Sequence, residues 1–158
     1  MPLKPLFYRQ ETDYTCASAC LRMLMEWHGV WASEAETHLA TGCDEKGTTA
    51  TGLIKAAYHF GFIKTRRMFL PAPASIVFDE LNDELSDGGH PLIAFLKLLP
   101  SEDVAPHAVV LLSVDAPDEH QILVLDPLAP KPGERLMTRS RFLYEWNNAN
   151  RTLILIER

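Results

Sequence analysis

The chain has 158 residues, 47% of them hydrophobic, enough to bury a core without disulfides or metals, and a single domain spanning 1–158 is expected. A formal net charge of −6, with basic residues scattered apart from a cluster at 64–67 that reads as a solvated strand face, argues against a nucleic-acid partner. Residues 1–10 lack the apolar run of a signal peptide and no stretch is long enough to cross a bilayer, so a soluble, cytoplasmic protein without membrane insertion is expected.

The elements follow in chain order, with no internal repeat. Asp13 or Thr15 is placed to cap a helix that begins about Cys16 and runs through Leu21, Met23, Leu24 and Trp27 to a stop at Gly29. Apolar on most sides, this helix is expected at the centre of the molecule. The capping box of Ser33 and Glu36 opens a second short helix. A third runs from about Thr51 through Leu53, Ile54 and Ala57 to Gly61. Residues 62–70 read as a strand, and a fourth helix spans about 75–85, closed by Gly88 and Gly89. Beyond it, the runs 92–98, 108–114, 122–125 and 153–156 are β-branched or leucine-rich and bounded by Pro, Asp and Gly, which marks strands. A short helix at 140–147 interrupts them. Connections between the late strands are too short for helical crossovers, so the sheet is expected to be antiparallel and the fold class α+β, with N-terminal helices packed on a C-terminal sheet.

Three cysteines, Cys16, Cys20 and Cys43, are an odd number without a secretory signal and read as reduced thiols. A cysteine at the first turn of a helix meets unpaired backbone amides and the positive end of the helix dipole, which favour the thiolate. Cys16 holds that position, although free cysteines are commonly small buried packing residues. Cys20, one turn later among apolar neighbours, and Cys43 read as such structural thiols. A nucleophilic cysteine needs a base, and the base an orienting partner. His28, His38 and His59 fall in or at the ends of helices, and His90 and His120 in turn-rich segments, so these five read as surface residues. His107 instead follows Pro106 and opens a strand, where a sheet edge can hold an imidazole against a helix N-terminus. Asp126 closes the next strand before Pro127; an antiparallel pair joined by a turn around Asp118 and Glu119 brings the two together. Taken alone, such an Asp-Pro is an ordinary turn signal. Gln10 lies six residues before Cys16, on a loop able to aim its amide and the Cys16 backbone N–H at one spot, as an oxyanion hole requires.

In this order, Gln10 and the run Cys16-Ala17-Ser18-Ala19-Cys20-Leu21-Arg22-Met23 resemble the N-terminal motif of the bacterial cysteine peptidases that remove double-glycine leaders from bacteriocin-type peptides. The segment from Gly47 through Gly52, Leu53 and Ile54 to Phe62 is similar to that family's middle helix. Pro91 to Ala94 resembles its first core strand, and the segments opening at His107 and closing at Asp126 its His and Asp strands. The resemblance covers nearly the whole chain. It implies a papain-like fold and assigns Gln10 as oxyanion donor, Cys16 as nucleophile, His107 as base and Asp126 as its orienting residue. It further implies a peptide or protein substrate and no cofactor or metal, and allows a separate export transporter as partner. Two positions depart from the pattern. Ala17 stands where the family usually has glycine, adding a methyl where substrate passes close to the backbone, and Pro106 stands where asparagine often precedes the histidine.

Other classes remain open on the residues alone. A zinc site of Cys16, Cys20 and a histidine suffers from poor spacing, because the two cysteines share one helix without a second pair. A non-catalytic peptide-binding module, and a cysteine acyltransferase or deamidase acting as an effector or toxin, are compatible with the same fold, since thioester chemistry does not dictate what resolves the intermediate.

Overall fold

The computed structural model describes residues 4–42, 44–45, 47–86, 89–115 and 121–158. Cys43, Gly88, Asp118, Glu119 and His120 lie outside them. The chain begins with α1 (Cys16–Trp27), α2 (Glu34–Thr41) and α3 (Ala50–His59). All of α1 except Glu26 is buried, as its near-continuous apolar sequence requires, and Gly29 ends it at φ +86°. The expected cap is absent: Thr15 sits at the N-cap position at φ −101° and ψ 24°, and its side chain accepts no bond from the helix. Helix α2 does carry the capping box of Ser33 and Glu36, and Thr49 caps α3 through the Gly52 amide.

Only β1 (Arg66–Arg67) forms within the strand expected over 62–70. Its partner β6 (Leu153–Leu155) is three residues long, and the flanking backbone adds only isolated bonds, the Lys64 amide to the Glu157 carbonyl at 3.1 Å and the Met68 amide to the Leu153 carbonyl at 2.8 Å. After α4 (Ala74–Ser86) come β2 (Leu92–Leu96), β3 (His107–Ser113), β4 (Gln121–Leu125), β5 (Glu134–Thr138) and, before β6, α5 (Arg139–Asn148). Strand β5 is an addition to the sequence reading. It pairs with β4 from Gln121↔Thr138 to Leu125↔Glu134, but as an edge strand it buries only Met137 and carries no apolar run to announce it.

The strands form one antiparallel sheet in the order β1-β6-β2-β3-β4-β5. Its alternation assigns residues to two apolar layers. Ile93, Phe95, Ala108, Val110 and Ile154 face α1 and α3, while Leu92, Ala94, Val109, Leu111 and Leu153 face α4 and α5 around Phe142 and Trp146. The N-terminal helices do pack on the later sheet, but α4 and α5 cover its other face. Burial on both sides explains why β2 is apolar at every position.

This layering brings the N-terminus of α1 against the start of β3. The turn after β4 closes through the Asp126 amide, which donates to the Gly133 carbonyl at 2.9 Å, and is tied to the N-terminal loop by the Gln10 amide donating to the Pro127 carbonyl at 3.0 Å. Gly133 has φ +82°, and a Cβ there would collide with the Phe7 ring. Gly133→Ala should therefore lower stability by about 2 kcal/mol, a fall in Tm of about 4–8 °C. Thermal denaturation checks it, and an unchanged Tm would contradict this packing of the N-terminal strap.

Candidate active site

Cys16 opens α1 and is 8% exposed, its sulfur accepting the Ala108 amide of β3 at 3.4 Å. His107, the first residue of β3, places Nε2 2.6 Å from Asp126 Oδ1. With Nε2 engaged there, the other ring nitrogen is the one left to serve the sulfur. Asp126 is 4% exposed; its Oδ1 also accepts the Leu128 amide at 3.0 Å, and its Oδ2 lies 3.1 Å from Arg135 Nη1. Cys16, His107 and Asp126 thus form one connected set in which every charged form has a partner of opposite sign.

Burial pushes the Cys16 thiol up. The hydrogen bond and positive charge of His107, with the amides of Ala108 and Ala17, outweigh it and leave the thiol below its ordinary value. For His107, burial acts against the charged ring, but hydrogen bonds to Asp126 and Cys16 and their charges prevail and raise it to about 9. Asp126 follows the same logic: burial would raise the carboxyl, while His107, the Leu128 amide and Arg135 hold it below the usual carboxylate range. All three shifts favour the charged forms, thiolate, imidazolium and carboxylate, a combination suited to nucleophilic attack followed by proton delivery.

Gln10 lies apart from this set. It is 8% exposed, its Nε2 donates to the Thr12 carbonyl at 2.8 Å, and its Oε1 is buried without a partner among the described residues. One amide hydrogen is therefore committed and the second is not. Cys20 is fully buried, and burial, with the charges of Cys16 and Asp126, raises its thiol well above the ordinary value. The Ala17 methyl packs in the core layer beneath α1 rather than along the cleft, whereas Pro106 does line the cleft. His28 and His90 are not plain surface residues: both are half-buried and their rings stack at 6.2 Å. His28 caps the far end of α1, roughly 18 Å along the helix from Cys16. Among the described residues no group of three or more His, Cys, Asp or Glu could hold a metal ion.

Arg135 is the member of the set that sequence reading missed. It belongs to the unannounced edge strand β5, and its relation to Asp126 arises only when the β4–β5 hairpin closes. The sulfur, His107 and Asp126 open onto a cleft of about 550 Å³ whose apolar wall includes Leu98, Val104 and Leu128.

Residues 5–157 match the sequence pattern of the peptidase C39 family. The chain belongs to this family. An uncharacterized protein of Methanothermobacter marburgensis is 35% identical over 119 residues, covering 75% of this chain and 69% of that one. The peptidase domain of Streptococcus ComA, a bifunctional ABC transporter of a quorum-sensing pathway, superposes with a TM-score of 0.74 at 24% identity, over 96% of this chain and 97% of that one. A C39-like peptidase from Bacillus anthracis gives 0.71 at 15% identity, over 96% and 94%. A double-glycine-motif protease from an AMS/PCAT transporter, solved with its leader peptide, gives 0.67 at 19% identity, over 98% and 91%. At such low identities the superpositions establish the fold alone, the papain-like α+β fold; family membership makes the chain a cysteine peptidase. No helix among the described residues is long and apolar enough to cross a membrane.

Iodoacetamide at neutral pH is expected to modify Cys16 and spare Cys20, which peptide mapping reads directly; equal labelling of the two would contradict the assigned environments. Arg135→Ala tests the outer contact. Because the Asp126 pKa is depressed, its pairing holds above the ordinary 3.8 and is lost as pH falls through the depressed value. Without the guanidinium that value rises, so the acid-side loss of activity in C39 turnover should begin at higher pH. The loss at neutral pH should stay below about tenfold, since a part-exposed pair is screened by solvent. An acid limb that does not move would remove Arg135 from the site.

Proposed function

We propose that this C39 peptidase cleaves a peptide bond by acyl transfer to Cys16, and the observation that carries the reading is the 2.6 Å contact of His107 with Asp126 beside a cleft-facing sulfur that sits at a helix N-terminus. The thiolate adds to the scissile carbonyl, and the oxyanion meets the Cys16 backbone N–H and the uncommitted hydrogen of the Gln10 amide. His107 delivers its proton to the leaving amine, then takes one from the water that resolves the thioester, while Asp126 keeps the ring oriented and stabilises its charged form. The substrate assigned is a peptide with a double-glycine leader, bound as an extended segment along the apolar wall of Leu98, Val104 and Leu128, and passed to a separate export transporter. Support comes from family membership and from the names of structurally similar proteins, which are transporter peptidase domains and a double-glycine-motif protease bound to a leader peptide.

Cys16→Ala should fold with a Tm near wild type and show no turnover, because the thiol is a small group with a chemical role. Gln10→Ala should lose roughly 100- to 1000-fold in kcat, about 3 to 4 kcal/mol of barrier, with little change in KM, since its donor meets charge present only in the transition state. Synthetic leader peptides ending in Gly-Gly, assayed by product mass, test the substrate. The expected products are the leader with a free carboxylate and the released C-terminal segment; cleavage indifferent to replacement of both glycines would refute the substrate assignment while leaving the peptidase chemistry standing.

A further inference from the structure

Ahead of Cys16, the five-residue loop 11–15 is held by a side chain from another helix. Glu34, at the first turn of α2 and 3% exposed, accepts the Glu11 amide at 2.9 Å and the Thr15 hydroxyl at 3.2 Å through a single carboxylate oxygen. The Thr15 hydroxyl in turn accepts the Thr12 amide and the Thr12 hydroxyl, each at 3.1 Å, and lies 3.3 Å from the Thr12 carbonyl, the group that anchors the Gln10 side chain at 2.8 Å. Burying a carboxylate is costly. Here burial pushes the Glu34 carboxyl up, opposed by the Glu11 amide, the Thr15 hydroxyl and the charge of Arg22. Glu34 Oε1 finds no hydrogen-bond partner among the described residues, so fold stability alone gives little reason for an ionisable group there.

A chemical reason emerges from what Thr15 is prevented from doing. A threonine at an N-cap normally turns its oxygen onto the second or third amide of the helix. In α1 the second amide belongs to Ala17, whose N–H favours the Cys16 thiolate. A capping hydroxyl would compete with the thiolate for that first turn. Thr15 does not cap, and its ψ of 24° lies far from the extended region that capping uses.

We propose that Glu34 is a positioning residue: by holding loop 11–15 so that Thr12 occupies the acceptor side of the Thr15 hydroxyl, it keeps the N-terminal amides of α1 free for the Cys16 thiolate and holds the anchor of the Gln10 amide in place. This rests on Cys16 being the nucleophile. The charged groups around the Cys16 sulfur are His107 and beyond it Asp126 and Arg135, with Glu45, Glu145 and, from loop 11–15 itself, Asp13 along the cleft.

The pH profile of Cys16 alkylation tests it, read beside steady-state kinetics. Glu34→Ala should raise the alkylation midpoint by about one pH unit, slowing the reaction about tenfold below the midpoint. Loss of a nearby negative charge would by itself lower the midpoint, so the direction is diagnostic. Turnover should fall by a similar factor with KM within about twofold. Glu34→Gln, which keeps an acceptor oxygen, should reverse most of the shift. Adding Thr15→Val to Glu34→Ala removes the competing hydroxyl and should return the midpoint toward wild type. If Glu34→Ala does not fold, Thr15→Asn, a strong cap, should raise the midpoint without lowering Tm. A folded Glu34→Ala or Thr15→Asn protein with the wild-type midpoint, or a double variant no lower than Glu34→Ala, overturns the proposal. A wild-type midpoint at the ordinary thiol value of 9.0 refutes the nucleophile reading itself, and this inference with it.

Discussion

Everything the site can do depends on one meeting, that of the α1 N-terminus with the first residue of β3. Cys16 and His107 are 91 positions apart, and each shifts the acidity of the other. The sulfur is buried enough to disfavour its charge, and the imidazole likewise; the opposite charge of the partner helps each overcome that penalty, together with Asp126 at the ring and the Ala108 and Ala17 amides at the sulfur. Asp126 makes the exchange one-sided by holding the imidazole in its charged form, and Arg135 keeps Asp126 charged in turn. The chain of partners runs from a buried sulfur to a part-exposed guanidinium, so the charge furthest from water is balanced at each step outward.

The sheet exists, in functional terms, to hold that meeting still. With apolar layers on both faces, β2 and β3 cannot slide without exposing Ile93 and Val110 on one side or Ala94 and Val109 on the other. Helix α1 is buried along nearly its whole length, so its N-terminus cannot retreat from β3 without dismantling the core. The softer parts are loops: the turn carrying Asp126, closed on Gly133, and the loop carrying Gln10, tied to Glu34 and to the Pro127 carbonyl. Both are tied by hydrogen bonds, and they pack on each other where the Phe7 ring covers Gly133.

What could be read from the sequence follows from this division. Helix α1, the capping box of α2 and strands β2, β3 and β4 write themselves in periodicity and apolar runs, because each is buried against a layer. Cys16, His107 and Asp126 were singled out by where each stands along its element and, with Gln10, by resemblance; the structure brings those three together. Strand β5 was not, since an edge strand with polar residues lacks the buried alternation that reveals an inner one. Arg135 was lost with it. Thr15 misled for a different reason: its position and residue type both signal a cap, but its hydroxyl bonds to Thr12 and to the distant Glu34 instead. The effect of Ala17 was also misjudged, because the direction of a methyl at the start of a helix depends on which face the core covers.

The most direct test of the thiolate and imidazolium pair is the titration of the His107 ring itself, followed by NMR of the histidine-labelled protein with His107→Ala to assign the resonance. A ring that stays protonated through neutrality and titrates at about 9, with a lower midpoint in Cys16→Ala, is the predicted result. A ring that titrates near the ordinary 6.5, and does not respond to loss of the sulfur, would contradict the pair and the chemistry built on it.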